Sequence, residues 1–422
     1  MTTARRGASL VLSILFAGWA VCAASFVHGP YCGAPSADSM TVCWEADAPA
    51  VARVEYDVRG DFEATGLLPE VRLMPAPEDN GTVEVTLDGL QADTDYAYRV
   101  VLGCDGDPLS SDPGFFSTAP TSGTSVSFAV LADTQWQSEG TNRLEMVGDA
   151  IADDPTPFDF VLHAGDVVES PSSPYWDHWF ASFDRMLLRA PFIPVLGNHE
   201  KNHRSYYQTF ALPPGEGKND EQWWALHWGD VVVVGLDTNV TKAADYYAQQ
   251  DWARAHLSGP EPHKFVVFHH PVFTSEAEGS GYFLDRIYHP IFVEAGVDIV
   301  FNGHSHHYEH IVRDGVTYLV VGGGGADPRE TRPEHIQGSD VSVEGHFFYA
   351  RVTTSLDEIR VETVSVAQLL GDESVAETGF LIDSFALGAE TGRPAVLLLW
   401  ALIAAVLGAG AAIWLLVRAL GD

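Results

Sequence analysis

Five short segments carry residue types that bind metals or move protons, and each follows an apolar run. Asp133 and Gln135 come after Val130-Leu-Ala, Asp166 closes His163-Ala-Gly-Asp166, and Asn198, His199 and Glu200 come after Leu196-Gly. Further on, His269 and His270 follow Phe268, and His304 and His306 stand in Asn302-Gly-His304-Ser-His306. A folded core has no use for so many imidazoles, carboxylates and amides, because each buried one needs a partner. Gathered in one place they suit mixed nitrogen and oxygen ligation of divalent metal ions such as Mn, Fe or Zn.

The elements that must position these residues are legible as pattern. Apolar runs at 127–131, 158–162, 192–196, 231–235, 265–268, 297–301 and 317–321 read as buried strands, and 142–153, 175–188, 242–257 and 284–295 read as amphipathic helices. Strands alternating with helices predict a layered α/β domain over 125–388, its ligand residues at the carboxyl ends of the strands, where open α/β sheets build sites. Residues 25–120 have a different texture, short strands around Met40-Thr-Val-Cys-Trp44, 51–58, 82–87 and 96–102 between turns. That spacing predicts a β-sandwich. Strand parity turns Val42 and Trp44 inward and Cys43 outward, and the domain reads as a spacer or lid. A Ser/Thr/Pro/Gly linker at 117–124 separates the two.

Composition narrows the function. The 422 residues hold 23 Lys+Arg against 58 Asp+Glu, a net charge of −35. Such a surface argues against a nucleic-acid partner, which needs a cationic footprint on the phosphates. Arg5 and Arg6 precede an apolar run at 8–24 that ends in small residues, the pattern of a cleaved secretory signal, with an uncleaved anchor as the other reading. Residues 395–417 are uncharged and, at about 1.5 Å per residue, long enough to span a bilayer as a transmembrane helix. The expected location is therefore the cell membrane, single-pass, with the domains outside the cytoplasm. Cys32, Cys43 and Cys104 remain after signal removal, allowing one disulfide in three possible pairings.

The ordered series Asp-x-x, Gly-Asp, Gly-Asn-His-Glu, His-x-Pro, Gly-His-x-His resembles the calcineurin-like metallophosphoesterases. More narrowly it is similar to the purple acid phosphatases, which also carry a fibronectin type III-like domain ahead of the catalytic one. Ser39-Met-Thr-Val-Cys-Trp44, the Tyr96-Ala-Tyr98 corner after Leu90 and Thr94, Leu236-Asp-Thr238, His304-Ser-His-His-Tyr-Glu309 and Gly379-Phe-Leu-Ile-Asp-Ser-Phe385 share in the likeness. The resemblance implies that Asp166 bridges two metals, with Asp133 and His306 on the first and Asn198, His269 and His304 on the second. His199 would face the substrate as a general acid. His269 rather than His270 follows from the His-x-Pro spacing. His203, His270 and His307, and also His310, are candidates to stand behind the ligands and orient them. His163 reads equally well as a satisfied core histidine.

Two positions depart from that pattern. Gln135 stands where the wider family has a histidine, and Glu169 where the purple branch has the tyrosine that binds ferric iron. Either side chain is a possible extra ligand, giving a harder site without purple colour. His199-Glu-Lys-Asn-His203 also spells a zinc-protease pattern, but that chemistry requires a helix and this stretch follows a strand end. The sequence thus predicts a membrane-anchored phosphoesterase with a phosphorylated small-molecule or surface substrate, monoesters favoured, attacked in line by a metal-bridging hydroxide. A phosphodiesterase and a catalytically silent cell-surface binding module are the alternatives. Nothing in the sequence sets the oligomeric state.

Overall fold

A computed structural model describes residues 24–77, 81–103, 108–123, 125–135, 142–277, 283–370 and 374–388. The expected signal, the run at 395–417 and Cys104 fall outside these residues, Ala24 apart. Among the described residues no helix is long and apolar enough to cross a membrane.

The first domain is two facing sheets. Phe26–Gly33, Ser39–Ala46 and Thr82–Asp88 form one; Glu70–Met74, Ala52–Val58, Asp95–Leu102 and Leu109–Ser110, with Gly114–Ser117 alongside, form the other. Val83, Val85 and Leu87 alternate inward with Val42, Trp44, Tyr98 and Val100, the period-two pattern of a sheet with one face on a core. The Tyr96 hydroxyl accepts the Gln91 N–H at 2.9 Å, closing the corner expected from the sequence. Cys43 does point away from this core, yet it is buried: the outward face of Ser39–Ala46 packs on the second domain, and Cys43 joins Tyr31 in that domain's core. Cys32 and Cys43, on opposite faces, are both free thiols.

The two domains are therefore fused rather than strung on a linker. Tyr31 donates its hydroxyl to the Thr209 carbonyl, and Ala34 N–H donates to Ala211 at 2.9 Å. His28 lies between Glu45 and Asp177, 2.9 Å from each, and stacks on Phe180.

Two sheets also form the heart of the second domain. In one, Phe192–Pro194, Phe160–His163 and Val126–Leu131 run parallel and continue through antiparallel His346–Thr354 and Glu358–Leu370. In the other, Val231–Gly235, His263–Val267, Ile299–Asn302 and Val316–Val321 run parallel. The sheets meet through rings such as Phe128 on Phe265 and Phe160 on Trp228. Val231 and Val233 face that contact while Val232 and Val234 lie under Ala243–Leu257 and His289–Ala295. A strand buried on both faces reads as an unbroken apolar run, which is why these strands were visible in the sequence.

Three elements differ from expectation. The helix expected at 284–295 is two, Leu284–Ile287 and His289–Ala295, broken at Tyr288 just before Pro290. Trp223–Trp228 is a strand, hidden because its aromatic residues do not alternate with polar ones. The strands beyond Val321 were not foreseen: Ser339–Val343 pairs with Tyr308–Arg313 at the edge of the second sheet, and the others complete the first.

Asp159, leading into Phe160–His163, gives a test of this packing. Burial pushes its carboxyl up to about 6, helped by Asp95 and Asp93 and opposed by the Ser127 N–H at 2.8 Å. A carboxyl with a raised folded value favours the fold while protonated, below its unfolded pKa, and that contribution is lost as pH rises through about 6. Asp159→Asn keeps the acceptor and removes the charge. Thermal unfolding should show it stabilised at pH 8 by on the order of 2 kcal/mol, with the gain shrinking toward pH 4. An equal gain at both pH values would contradict the burial argument.

Candidate metal centre

The five segments meet at one edge of the two sheets. Val126–Leu131, Phe160–His163 and Phe192–Pro194 deliver Asp133, Asp166 and Asn198 from one sheet; His263–Val267 and Ile299–Asn302 deliver His269, His304 and His306 from the other. The turns are tight. Asp133, Asp166 and His304 all adopt left-handed backbone, φ 59°, 58° and 69°. That conformation is costly for non-glycine residues and concentrates at functional sites. Glycines let the chain close around the carboxylates: a Cβ at Gly197 would lie 2.1 Å from Asp166 Oδ1, and one at Gly303 would lie 2.6 Å from Asp133 Oδ2.

One cluster gathers Asp166, Asn198, His269 and His304. Asn198 Oδ1 lies 3.1 Å from His269 Nε2 and 3.0 Å from His304 Nδ1, and Asp166 Oδ2 lies 3.1 Å from His269 Nε2. His269 Nδ1 donates to the Ala164 carbonyl at 2.9 Å, so the neutral ring turns a bare nitrogen toward these oxygens. Acceptors facing a bare nitrogen in a buried site are favourable only around a cation or a proton. A proton can take the cation's place: burial works against protonating His269, but Asp166 beside it prevails and pushes the ring up to about 9. Burial and His269 hold His304 down to about 4.

A second cluster joins Asp133, Gln135 and His306. His306 Nε2 lies 3.3 Å from Asp133 Oδ1 and 3.1 Å from Gln135 Nε2, while its Nδ1 donates to the Asp327 carbonyl at 2.7 Å. Asp133 and Gln135 are fully buried, and Gln135 Oε1 has no donor among the described residues. Asp133, Asp166 and His269 offer ligand atoms within 4.8 Å of one another, so Asp166 stands between the clusters. This donor set, with an orphaned amide oxygen and bare imidazole nitrogens turned inward, fits two divalent cations.

His199 borders both clusters and is 22% exposed. Its backbone N–H donates to Asp166 Oδ1 at 2.8 Å, and its Nδ1 donates to the Glu169 carbonyl at 2.8 Å, which leaves Nε2 beside the centre, 3.8 Å from Asp166 Oδ2. The Glu169 carboxylate lies 3.4 Å from the same ring, so the structure sets Glu169 against His199.

The supporting histidines divide. His270 lies closer than expected: its Nδ1 meets Thr238 Oγ1 at 2.8 Å, and it groups with His269 and His304 as a third nitrogen. His307 is buried against Glu309, which also accepts from Ser275 and Ser339 and bears on the loop after His269. His310 pairs with Asp383 at 2.9 Å on the last strand. His163 is a core histidine bracing Thr134 at 3.0 Å. His203 does not stand behind a ligand, because it is exposed and caps the helix Arg204–Thr209 by accepting the Ser205 N–H. His199 and His203 lie in a turn and at a cap, not on one helix face, so the protease geometry is not formed.

Sequence reasoning gave Glu200 no role of its own and did not foresee Glu276 as a brace. Glu200 is fully buried and accepts the N–H groups of Asp166, Val168 and Gly197 at 3.0, 3.1 and 2.7 Å. Burial and neighbouring Asp166 push its carboxyl up to about 7 against those bonds. It ties the Asp166 turn to the Asn198 turn. Glu276, on the loop after His269, accepts from Ser305 at 2.5 Å and from Arg329 at 3.1 Å, bracing the segment between His304 and His306. The only sequence signal was an acidic residue inside an otherwise apolar or turn-forming stretch.

Residues 126–308 match the family described as calcineurin-like phosphoesterase. Purple acid phosphatase 22 of Arabidopsis thaliana is 26% identical over 271 residues, 57% of this chain and 58% of its own length. Purple acid phosphatase 1 of Ipomoea batatas is 28% identical over 261 residues, 56% of this chain and 53% of its own. The chain thus spans little more than half the length of these relatives. The purple acid phosphatase PPD1 of yellow lupin (Lupinus luteus) shares the fold, with a TM-score of 0.67 at 17% identity over 85% of this chain and 74% of that one.

Proposed function

We propose that this chain, whose residues 126–308 are a calcineurin-like phosphoesterase domain, hydrolyses phosphate monoesters outside the cytoplasm while tethered to a membrane by its C-terminal apolar run. The observation that carries the reading is Asp166 standing between two inward-facing ligand clusters. Asp133 and His306 would hold one divalent cation and Asn198, His269 and His304 the other, with Asp166 shared. When bound, such a pair supplies an acidified water and a clamp on the phosphoryl oxygens.

The chain's own residues do the rest. The Ala164 and Asp327 carbonyls fix the tautomers of His269 and His306, so that their bare nitrogens would be free to hold the ions. Glu200 keeps Asp166 and Asn198 at a fixed separation. The Glu169 carbonyl holds His199 Nδ1, leaving Nε2 to present a proton to the leaving-group oxygen. The first domain, which we infer to be fibronectin type III-like from its corner and core tryptophan, packs beneath the helices that follow Glu169 and His199.

The subclass is tested with p-nitrophenyl phosphate against its bis-ester, across Mn²⁺, Zn²⁺, Fe²⁺ and a chelator. The monoester should turn over faster by about tenfold or more, and the chelator should abolish both rates. The reverse ratio would make the protein a phosphodiesterase. Folded, metal-loaded protein with no turnover would favour the silent binding module, the reading that the departures at Gln135 and Glu169 support.

A further inference from the structure

The geometry points to Gln135 as the ligand that completes the first metal position, making that position oxygen-rich and selective for a hard divalent cation such as Mn²⁺. The inference rests on the dimetal reading above and concerns how its two positions differ. Gln135 is fully buried, and its Oε1 has no donor among the described residues, an unfavourable arrangement if nothing answers it. Its amide nitrogen donates to His306 Nε2 at 3.1 Å, that nitrogen being an acceptor in the neutral ring because Nδ1 donates to the Asp327 carbonyl. Asp133 Oδ1 shares the spot, 3.3 Å from the same nitrogen. As it stands, the amide nitrogen donates to His306 and the buried oxygen is left without a donor. Turning the amide over exchanges the two atoms and brings Oε1 up to that nitrogen and carboxylate, a placement that only a cation among them favours. The orphaned oxygen therefore has its natural partner in an ion.

The two positions then differ in kind. Asp133, Asp166 and Gln135 give three oxygens to one nitrogen from His306. The other position has two nitrogens, His269 and His304, beside the oxygens of Asn198 and Asp166. Oxygen donors favour Mn²⁺ and Mg²⁺, whereas imidazole favours zinc and iron. The first position should be the weaker and more readily exchanged. Glu169 serves differently, set against His199 3.4 Å away.

The test is metal binding by the full chain, stripped of metal and titrated with Mn²⁺ by calorimetry and by electron paramagnetic resonance. Wild type should take up two ions of separable affinity. Gln135→Leu should weaken the weaker ion by about tenfold or more and leave the other unchanged, while circular dichroism shows it folded. Glu169→Gln should keep both ions, and Gln135→His should shift the weaker position toward Zn²⁺ by about tenfold. Unchanged binding in Gln135→Leu, or loss of an ion in Glu169→Gln, overturns the inference. Two ions behaving as expected in a protein that hydrolyses no ester would sink the proposed activity and leave this inference standing.

Discussion

His199→Ala should lower kcat by about 10²- to 10⁴-fold on esters with alkoxide leaving groups while both metals stay bound. The alkoxide is a poor leaving group and needs a proton, and His199 Nε2, beside the centre and 3.8 Å from Asp166 Oδ2, is placed to give one. Asn198, its neighbour, belongs to the ligand cluster, so the variant must be shown to keep its metal content by direct analysis. The loss should shrink toward unity for p-nitrophenyl phosphate, whose leaving group departs without a proton. An equal loss on both kinds of ester, at full metal content, would mean that His199 positions substrate and transfers no proton. His199→Gln, which keeps a hydrogen-bond donor near Asp166, should restore KM more than kcat.

Glu200→Leu should destabilise the protein by about 3–9 kcal/mol, because three buried N–H groups lose their acceptor at about 1–3 kcal/mol each. In a domain of this size each kilocalorie shifts Tm by roughly 2–4 °C. The second effect is local: Asp166 and Asn198 sit on the turns that Glu200 joins, so metal affinity should fall along with Tm. Glu200→Gln keeps one acceptor oxygen and should recover part of both. A Tm unchanged in Glu200→Leu would show that another group satisfies those amides.

Residues that meet at strand ends were the readable part of this chain. Asp133, Asp166, Asn198, His269, His304 and His306 come together because each follows a strand buried on both faces, and such strands stand out as apolar runs. What the sequence hid depends on contacts between distant segments. Cys43 points out of its own sandwich, as parity said, but only the packed second domain makes that outward face a core. Glu169 and Gln135 were equal candidates for the first metal until the turn after Asp166 placed Glu169 against His199 and left Gln135 beside His306. His203 looked like a ligand's support by proximity in sequence, yet one turn later the chain is a helix that it caps. Glu200 had no pattern to betray it, since its three partners are backbone groups from two turns.

The central claim is that Asp166 joins two metals that carry out ester hydrolysis. Metal content and turnover measured together, in wild type and in Asp166→Asn, test it most directly. Wild type should bind two divalent ions and hydrolyse p-nitrophenyl phosphate. Asp166→Asn should lose at least one ion, and turnover should fall by several kcal/mol in activation free energy, on the order of 10³-fold. Turnover that survives in folded Asp166→Asn, or in wild type stripped of both metals, would contradict the account.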